Sequence, residues 1–249
     1  LLTGGAGAVF WMWVSALLGM GIKYAEILLA VYFKKQSPNH TGGGPMYYME
    51  QGLGCKPLAV WFSVAAIGAA LTGGCFTQVN AVCSVLGEGN LWLTAIVGAG
   101  IALLAGLCIF GGIHRISKVT SVLVPVFSIL FLGAGLVVIF CCLPQLPGVF
   151  ALIFQQAFSL ESVSGGLMGT GLALSLRLGM ARGIFSNEAG VGSSPMVYAS
   201  GKESDPVRQG LWGVLEVFLD TIVICTVTAL VILLTVGISP AQTPMEQVN

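Results

Sequence analysis

Residues 164–195 read SGGLMGTGLALSLRLGMARGIFSNEAGVGSSP, a stretch long and apolar enough to cross a membrane but poorly suited to a regular helix. Seven glycines lie between Gly165 and Gly190, and Arg177 and Arg182 lie within or beside the apolar run. An interior glycine costs about 1 kcal/mol relative to alanine, and a charge in the bilayer core costs about 3 kcal/mol. Unwound backbone leaves polar groups free to hold a ligand. The stretch is therefore predicted to be a broken membrane segment at a binding site.

The composition of the chain is that of a polytopic, all-α membrane protein. The 249 residues are 56% hydrophobic and 8% charged, with a mean hydropathy of +0.93. A soluble domain carries about 25% charged residues, so a soluble class is excluded. The formal net charge is zero, which gives no electrostatic reason to expect a nucleic-acid partner. We expect the lipid bilayer as the surroundings instead.

The sequence carries no pattern typical of an enzyme or of a metal centre. The seven cysteines lie mostly in apolar runs, without a C-x-x-C pair, and are interpreted as small buried hydrophobic residues. Neither G-x-S-x-G nor H-E-x-x-H occurs, and both histidines, His40 and His114, lie in predicted loops. We therefore expect no catalytic residues. The chain begins at Leu1 in the middle of a pattern, so a fragment of a longer protein is expected.

The apolar pattern predicts six membrane crossings, of which the fifth is the broken one, at residues 8–33, 57–86, 91–110, 119–142, 164–185 and 209–236. Residues 34–56 form a predicted polar loop with a short interfacial helix, and residues 111–118 a predicted basic turn. Residues 149–158 are predicted to form a surface helix. Pro125 is predicted to kink the fourth crossing.

The loops alternate in their content of lysine and arginine. Residues 34–56 contain three and residues 111–118 contain two, whereas residues 88–90 and 143–148 contain none. Basic residues also follow the broken segment. Short basic loops remain in the cytoplasm, so the first helix is predicted to enter from outside, with the broken segment counting as one crossing.

Four charged residues lie within the first and last predicted crossings, in addition to the two arginines of the broken segment. Lys23 and Glu26 are three apart, and Glu216 and Asp220 are four apart, so each pair shares a helix face. An ion-pair network that fixes helix packing and a role in gating or in cation or proton coupling both remain open for these residues.

The two carboxylates of the last crossing need a positive partner. Asp220 lies roughly 18 Å along the helix from Arg208, near the membrane midplane. Two carboxylates there cannot both stay ionised without a cation. By topology, Arg182 or Arg177 is the predicted counter-charge.

The second crossing contains a polar patch around Phe76, Thr77 and Gln78, followed by Asn80. Amides in an apolar helix form hydrogen bonds between helices, worth about 0.6 kcal/mol on average, or contact a substrate. The pattern alone does not choose between these two roles.

One block is specific enough to indicate a family. FSNEAGVGSSP (185–195), preceded by GMARG (179–183), resembles the sodium:alanine symporter family, the alanine or glycine:cation symporters. Five further pieces agree with that family, namely GAVFWMWVSALLGMGIKYAEILLAVYF (7–33), GGPMYYMEQGLG (43–54), the region 78–80, HRISKVTSVLVP (114–125) and DTIVICTVTALVILLTVG (220–237). The resemblance runs from one end of the chain to the other.

The resemblance implies the five-plus-five inverted-repeat fold of sodium-coupled amino-acid transporters, of which this chain would hold core helices two to seven. It implies a substrate site on the third and sixth core helices, formed by Phe76, Thr77, Gln78, Gly165, Gly166, Gly169 and Thr170. The sodium ligands are expected on segments outside this chain. For Asn187 and Glu188 it suggests capping of a helix start or pairing with Arg182, in a structural or gating role.

The function implied by the resemblance is Na⁺-coupled symport of a small neutral amino acid, alanine or glycine, by alternating access. Na⁺ is then the coupling ion, and no other cofactor is expected. A monomer in a bacterial or archaeal inner membrane is expected. The alternative within the same fold is coupling to H⁺, through Asp220, or another amino-acid substrate. A channel would need a repeated pore-lining ring and gives no reason for a single broken helix.

Overall fold

The computed structural model describes residues 4–36, 42–72, 74–87, 91–158, 170–201 and 205–236, and all regular structure in these ranges is helical. In chain order the helices are α1 (Gly7–Gln36), α2 (Pro45–Gln51), α3 (Lys56–Thr72), α4 (Gly74–Gly87), α5 (Leu91–Ile109), α6 (Gly112–Cys141), a 3₁₀ turn (Leu143–Gln145), α7 (Leu146–Ala157), α8 (Thr170–Asn187), α9 (Ser193–Ser200), α10 (Pro206–Val217), a π-helical segment (Phe218–Ile224) and α11 (Cys225–Val236).

Four helical stretches in these ranges are long and apolar enough to cross a membrane, namely Gly7–Lys34, Trp92–Ile109, Arg115–Cys141 and Pro206–Thr235. The last of them joins α10, the π-helical segment and α11. A shorter apolar stretch, Lys56–Leu71, lies in α3. This content fits a multi-pass membrane protein. The glycine-rich start of the predicted broken segment, residues 164–169, lies outside the described ranges.

The predicted basic turn at 111–118 is wrong, because α6 begins at Gly112. The turn between α5 and α6 consists of Phe110 and Gly111, and Gly112 at the start of α6 adopts a φ of +69°, which favours glycine. Residues 113–118 contain neither Gly nor Pro, so nothing interrupts the helix there. The hydroxyl of Thr120 donates back to the Ile116 carbonyl at 2.9 Å. The helix then continues through Pro125 to Cys141.

The chain divides into two compact units, residues 1–59 with 132–249, and residues 60–131. In the second unit, α4 packs against α5, and the Cys83 thiol lies 3.8 Å from the Thr94 carbonyl oxygen. In the first unit, α1 is the central helix and packs against α7, α8, α9 and α10.

Helices α1 and α8 run side by side in the same direction. Near one end, the hydroxyl of Ser175 donates to the Gly4 carbonyl at 2.7 Å. One turn further, a Cβ on Gly179 would lie 2.4 Å from the carbonyl oxygen of Ala8. Such close approach of two backbones is typical of membrane helix pairs with small residues at the contact.

The last helices run antiparallel to α1 along another of its faces. The indole of Trp13 donates to the Thr226 hydroxyl at 2.8 Å. Further along α1, a Cβ on Gly210 would lie 2.7 Å from the Tyr24 ring, and one on Gly213 would lie 2.3 Å from Ile27. Glycines therefore set the register between α1 and α10.

Candidate functional site

The side chain of Lys23, in the middle of α1, is fully buried. Its Nζ donates to the backbone carbonyl of Asn187 at 2.6 Å and to the hydroxyl of Ser194, and lies 3.4 Å from Oε1 of Glu216. The two hydrogen bonds use two of the three N–H donors of the ammonium, and the Glu216 carboxylate pairs with its charge. A buried charge is tolerated when it is paired and hydrogen-bonded. Lys23 thus connects α1 to the end of α8, to α9 and to α10.

Glu216 holds the opposite side of this cluster. Its second oxygen, Oε2, accepts a hydrogen bond from the Tyr198 hydroxyl at 2.8 Å. Both carboxylate oxygens are therefore engaged, one by α1 and one by α9. The side chain of Glu216 is 44% exposed, whereas that of Lys23 is 1% exposed. Water can therefore solvate the Glu216 carboxylate if Lys23 is removed, whereas it cannot reach the Lys23 ammonium if Glu216 is removed.

A turn with left-handed backbone conformations connects α8 to α9. It positions the two Lys23 acceptors, at Asn187 and Ser194. Asn187 ends α8, and its Oδ1 accepts from the Ala189 amide at 3.0 Å. Glu188, Gly190 and Gly192 have φ values of +53°, +85° and +87°. Glycine adopts this conformation without steric cost, whereas a residue with a Cβ is strained there. The two glycines of the NEAGVGSS block therefore allow the chain to turn between α8 and α9.

Two more groups on α1 hold the segment that follows this turn. The Gly190 amide donates to Glu26 Oε2 at 3.2 Å. Further along, Lys34 Nζ donates to the carbonyls of Ala199 and Gly201, the second at 3.1 Å. Lys23, Glu26 and Lys34 each bind a separate part of residues 187–201. This face of α1 therefore holds the turn and α9 in place through hydrogen bonds.

Asp220 lies in the π-helical segment. Its Oδ2 accepts from the Ser186 hydroxyl at 2.6 Å and from the Thr221 hydroxyl at 3.1 Å. The Ser186 oxygen also lies 3.3 Å from the Cys225 sulfur. π-helical turns are frequent at functional sites. Sequence reasoning missed Ser186 as the partner of Asp220, because no spacing rule relates residues on two separate helices.

The predicted counter-charge is wrong for Glu216. Lys23 on α1, rather than an arginine of α8, pairs with Glu216. Arg177 and Arg182 are exposed, and the guanidinium carbon of Arg182 lies 5.6 Å from the Phe185 ring centre. Gly179 and Gly183, rather than these arginines, occupy the face of α8 that contacts α1.

Glu188 was expected to cap a helix start or to pair with Arg182. In the structure its carboxylate accepts a hydrogen bond from the hydroxyl of Ser193, the first residue of α9. A carboxylate at this position also interacts favourably with the positive end of the α9 dipole.

The predicted substrate residues are distributed over separate parts of the chain. Phe76, Thr77 and Gln78 lie in α4, in the unit of residues 60–131, and the Phe76 side chain is 68% exposed. Thr170 is the first residue of α8. Gly165, Gly166 and Gly169 lie outside the described ranges. That these residues form one site stays a prediction.

Two tyrosines outside the crossings have raised pKa values. Burial, and then the charge of Glu26, raise the pKa of Tyr48 to about 12. Burial, and then the carboxylate of Glu216, raise the pKa of Tyr198 above its usual value. In both cases the phenol is the stable form in the folded protein.

The raised pKa of Tyr48 predicts a loss of stability at alkaline pH. An unfolded tyrosine has a pKa of about 10. The folded chain keeps the proton longer, so the contribution of Tyr48 is complete below pH of about 10 and is lost as the pH rises through about 12. Thermal midpoints measured over this range should fall less steeply in Tyr48→Phe than in the wild type. Equal slopes, after normalising each protein to its midpoint at neutral pH, would contradict the prediction.

Comparison with known proteins identifies relatives along the whole chain. The sequence profile of the sodium:alanine symporter family matches residues 1–248. The chain is 44% identical over 234 residues to a Bacillus subtilis protein named "uncharacterized transporter YflA", covering 94% of this chain and 50% of that protein.

Two further relatives carry names that state a substrate. The sodium/alanine symporter AgcS of Methanococcus maripaludis is 39% identical over 234 residues, covering 92% of this chain and 51% of that protein. A Bacillus subtilis protein named "probable sodium/glutamine symporter GlnT" is 41% identical over 232 residues, covering 92% of this chain and 47% of that protein. The chain spans about half the length of the curated relatives it matches.

Proposed function

This chain belongs to the sodium:alanine symporter family, and we propose that the protein containing it carries a small neutral amino acid across the membrane together with Na⁺. The family match over residues 1–248 is the observation that carries this proposal. The names of the relatives AgcS and GlnT support it, because both describe sodium-coupled symport. The family consists of transporters rather than enzymes.

The residues proposed to bind the substrate are those that the sequence predicted, in the glycine-rich segment and in α4. Gly165, Gly166 and Gly169 are the residues proposed to bind the carboxylate of the amino acid through backbone amides, and the positive end of a helix adds attraction. Gln78 supplies a side-chain amide from α4. The glycines leave room for the substrate and limit its size, which favours alanine or glycine.

In the proposed mechanism, Na⁺ binds beside the substrate and its gradient drives alternating access. One charge moving through the membrane potential supplies about 2.3 kcal/mol per 100 mV, to which the concentration gradient adds. The first unit, whose helices α8, α9 and α10 are fastened to α1 by Lys23, keeps its internal packing during this cycle. Arg182 and Glu188 then have structural or gating roles and do not contact the substrate.

A second candidate is the same transport reaction with another amino acid or with H⁺. Glutamine is considered because GlnT and AgcS are similarly identical to this chain, at 41% and 39%. Overall identity therefore does not choose between the two substrates. For H⁺ coupling, Asp220 is the carboxylate considered, because it lies within a predicted crossing.

Uptake of labelled alanine by the full-length protein in proteoliposomes tests the proposal. We expect uptake driven by an inward Na⁺ gradient, loss of uptake when choline replaces Na⁺, and competition by unlabelled glycine. Uptake driven by a pH gradient alone would favour H⁺ coupling, and stronger competition by glutamine than by glycine would favour the other substrate. No amino-acid uptake under either gradient would contradict the proposed function.

Gln78→Ala is expected to lower Na⁺-driven uptake about tenfold, because a hydrogen bond to a charged substrate group is worth about 1.5 kcal/mol. The matched control is Gln145→Ala, in the exposed 3₁₀ turn, which should leave uptake unchanged. Full activity of Gln78→Ala would remove α4 from the proposed site.

Glu188→Gln tests the structural or gating role of Glu188. If this variant left uptake intact but changed the preferred amino acid, the assignment of Glu188 to that role would be wrong.

A further inference from the structure

The three acceptors around Lys23 Nζ have the chemistry of a cation site. They are a backbone carbonyl (Asn187), a hydroxyl (Ser194) and a carboxylate oxygen (Glu216). Oxygen atoms of these kinds are the ligands that hard cations take in proteins. The Asn187 carbonyl also lies at the C-terminal end of α8, where the helix dipole is negative. We call this set of three oxygens the Lys23 cradle.

We propose that the Lys23 cradle is a binding site for a small monovalent cation, and that the protein fills it with its own lysine head group. The inference concerns a site separate from the proposed substrate site and does not depend on the proposed function. It predicts that removing the head group converts a permanently filled site into one that binds a free cation.

Two of the three acceptor residues form hydrogen bonds other than those to Lys23, and the third is buried at the start of a helix, so the cradle should persist without the ammonium. Asn187 is fixed by the hydrogen bond from the Ala189 amide to its Oδ1. Glu216 is fixed by the Tyr198 hydroxyl through its second oxygen. Ser194 is 8% exposed and lies in the first turn of α9.

The lysine stem is fixed as well. A Cβ on Gly213 would lie 3.3 Å from Lys23 Cγ, so α10 confines the stem. Truncation to alanine would therefore open a space lined by three oxygen acceptors, large enough for a primary ammonium group. A bulky quaternary cation such as choline has no N–H donor and does not match this lining.

Cation rescue of Lys23→Ala in the full-length protein tests the proposal. The probes are chloride salts of choline, ammonium and methylammonium at equal ionic strength, and the readout is the thermal midpoint in detergent. We expect Lys23→Ala to unfold several degrees below the wild type in choline, and methylammonium to restore much of that loss. The wild type should show no methylammonium effect, because its cradle is occupied. Na⁺ is a weaker probe here, since it is also the proposed coupling ion.

The double variant Lys23→Ala/Glu216→Gln provides the specificity control. It lacks the charged ligand and should show no rescue by methylammonium. Equal midpoints of Lys23→Ala in choline and methylammonium, or equal rescue in the double variant, would overturn the proposal.

A pair of neighbouring serines gives a second test that needs no truncated lysine. Ser194→Ala removes one ligand of the cradle and leaves a buried N–H of Lys23 without its acceptor, so the midpoint should fall by several degrees. Ser193→Ala removes an otherwise similar hydroxyl that bonds the exposed Glu188, and should change it little. Equal effects of the two substitutions would overturn the proposal, even if Lys23→Ala yielded no folded protein in any salt.

Discussion

Glu216→Met is expected to lower the free energy of unfolding by about 3 kcal/mol, and Lys23→Met by about half as much. The order follows from burial. Without Glu216, the Lys23 ammonium stays fully buried with only neutral acceptors. Without Lys23, the Glu216 carboxylate is still 44% exposed and still bonded to Tyr198, so water can solvate it.

Unfolding of both single variants and of the double variant Lys23→Met/Glu216→Met measures this asymmetry. We expect the two substitutions to couple by about 2 kcal/mol, so that the double variant is more stable than Glu216→Met alone. The control is Glu50→Met, which removes an exposed carboxylate from α2 and should change stability by less than about 0.5 kcal/mol. A larger loss for Lys23→Met than for Glu216→Met would show that the ion pair does not control stability in this way.

The sequence identified both members of this ion pair but not their pairing. Lys23 and Glu216 were identified because charged residues are rare inside apolar segments and usually have a functional or structural role there. Their partnership depends on the register between α1 and α10, which Gly210 and Gly213 set by allowing contact with Tyr24 and Ile27. A register between helices far apart in the chain leaves no periodic signal in either helix.

The block FSNEAGVGSSP (185–195) identified the family but not the contacts that its residues make. The resemblance carried by residues 185–195 is confirmed by the family match. Its two glycines, Gly190 and Gly192, have positive φ in the turn between α8 and α9, which sequence reasoning did not identify. The role of Ser194 as a Lys23 acceptor was missed, although it lies within the quoted block. Nothing in the block itself points to a lysine on α1.

Hydropathy predicts helices well and their ends less well. The start of α6 was missed because basic residues at 114–118 were interpreted as a turn. A helix extends beyond the hydrocarbon region when no Gly or Pro stops it, and its polar residues then lie among the headgroups. The π-helical segment at Phe218–Ile224 was also missed, since one widened turn changes the apolar periodicity too little to be recognised.

Gly179→Ala is expected to lower the free energy of unfolding by about 3 kcal/mol, because the added methyl group cannot be accommodated. Its Cβ would lie 2.4 Å from the Ala8 carbonyl oxygen and 2.7 Å from the Trp11 Cβ. Neither atom can move by rotating a side chain, so α1 and α8 must separate. The roughly 1 kcal/mol that alanine gains in helix propensity does not offset this cost.

Two other glycines provide graded controls for this substitution. At Gly183 the Cβ would lie 2.8 Å from the Ser15 hydroxyl oxygen, which can rotate away at the cost of its hydrogen bond to the Met180 carbonyl, and 2.9 Å from the Ser15 Cβ, which requires a smaller shift of the helices than at Gly179. At Gly21, no described atom lies within 4 Å of the added Cβ, so alanine should be neutral or stabilising by up to about 1 kcal/mol. Thermal midpoints of the three alanine variants should therefore rise in the order Gly179, Gly183, Gly21.

This order distinguishes close packing from a general effect of glycine on helix flexibility. If flexibility were what mattered, all three substitutions would rigidify a helix and their midpoints would change alike. If packing decides, Gly179→Ala should also reduce Na⁺-driven alanine uptake, because α8 begins at Thr170, beside the predicted substrate segment, and is held against α1 at Gly179. Equal midpoints for Gly179→Ala and Gly21→Ala would show that the contact between α1 and α8 does not control stability.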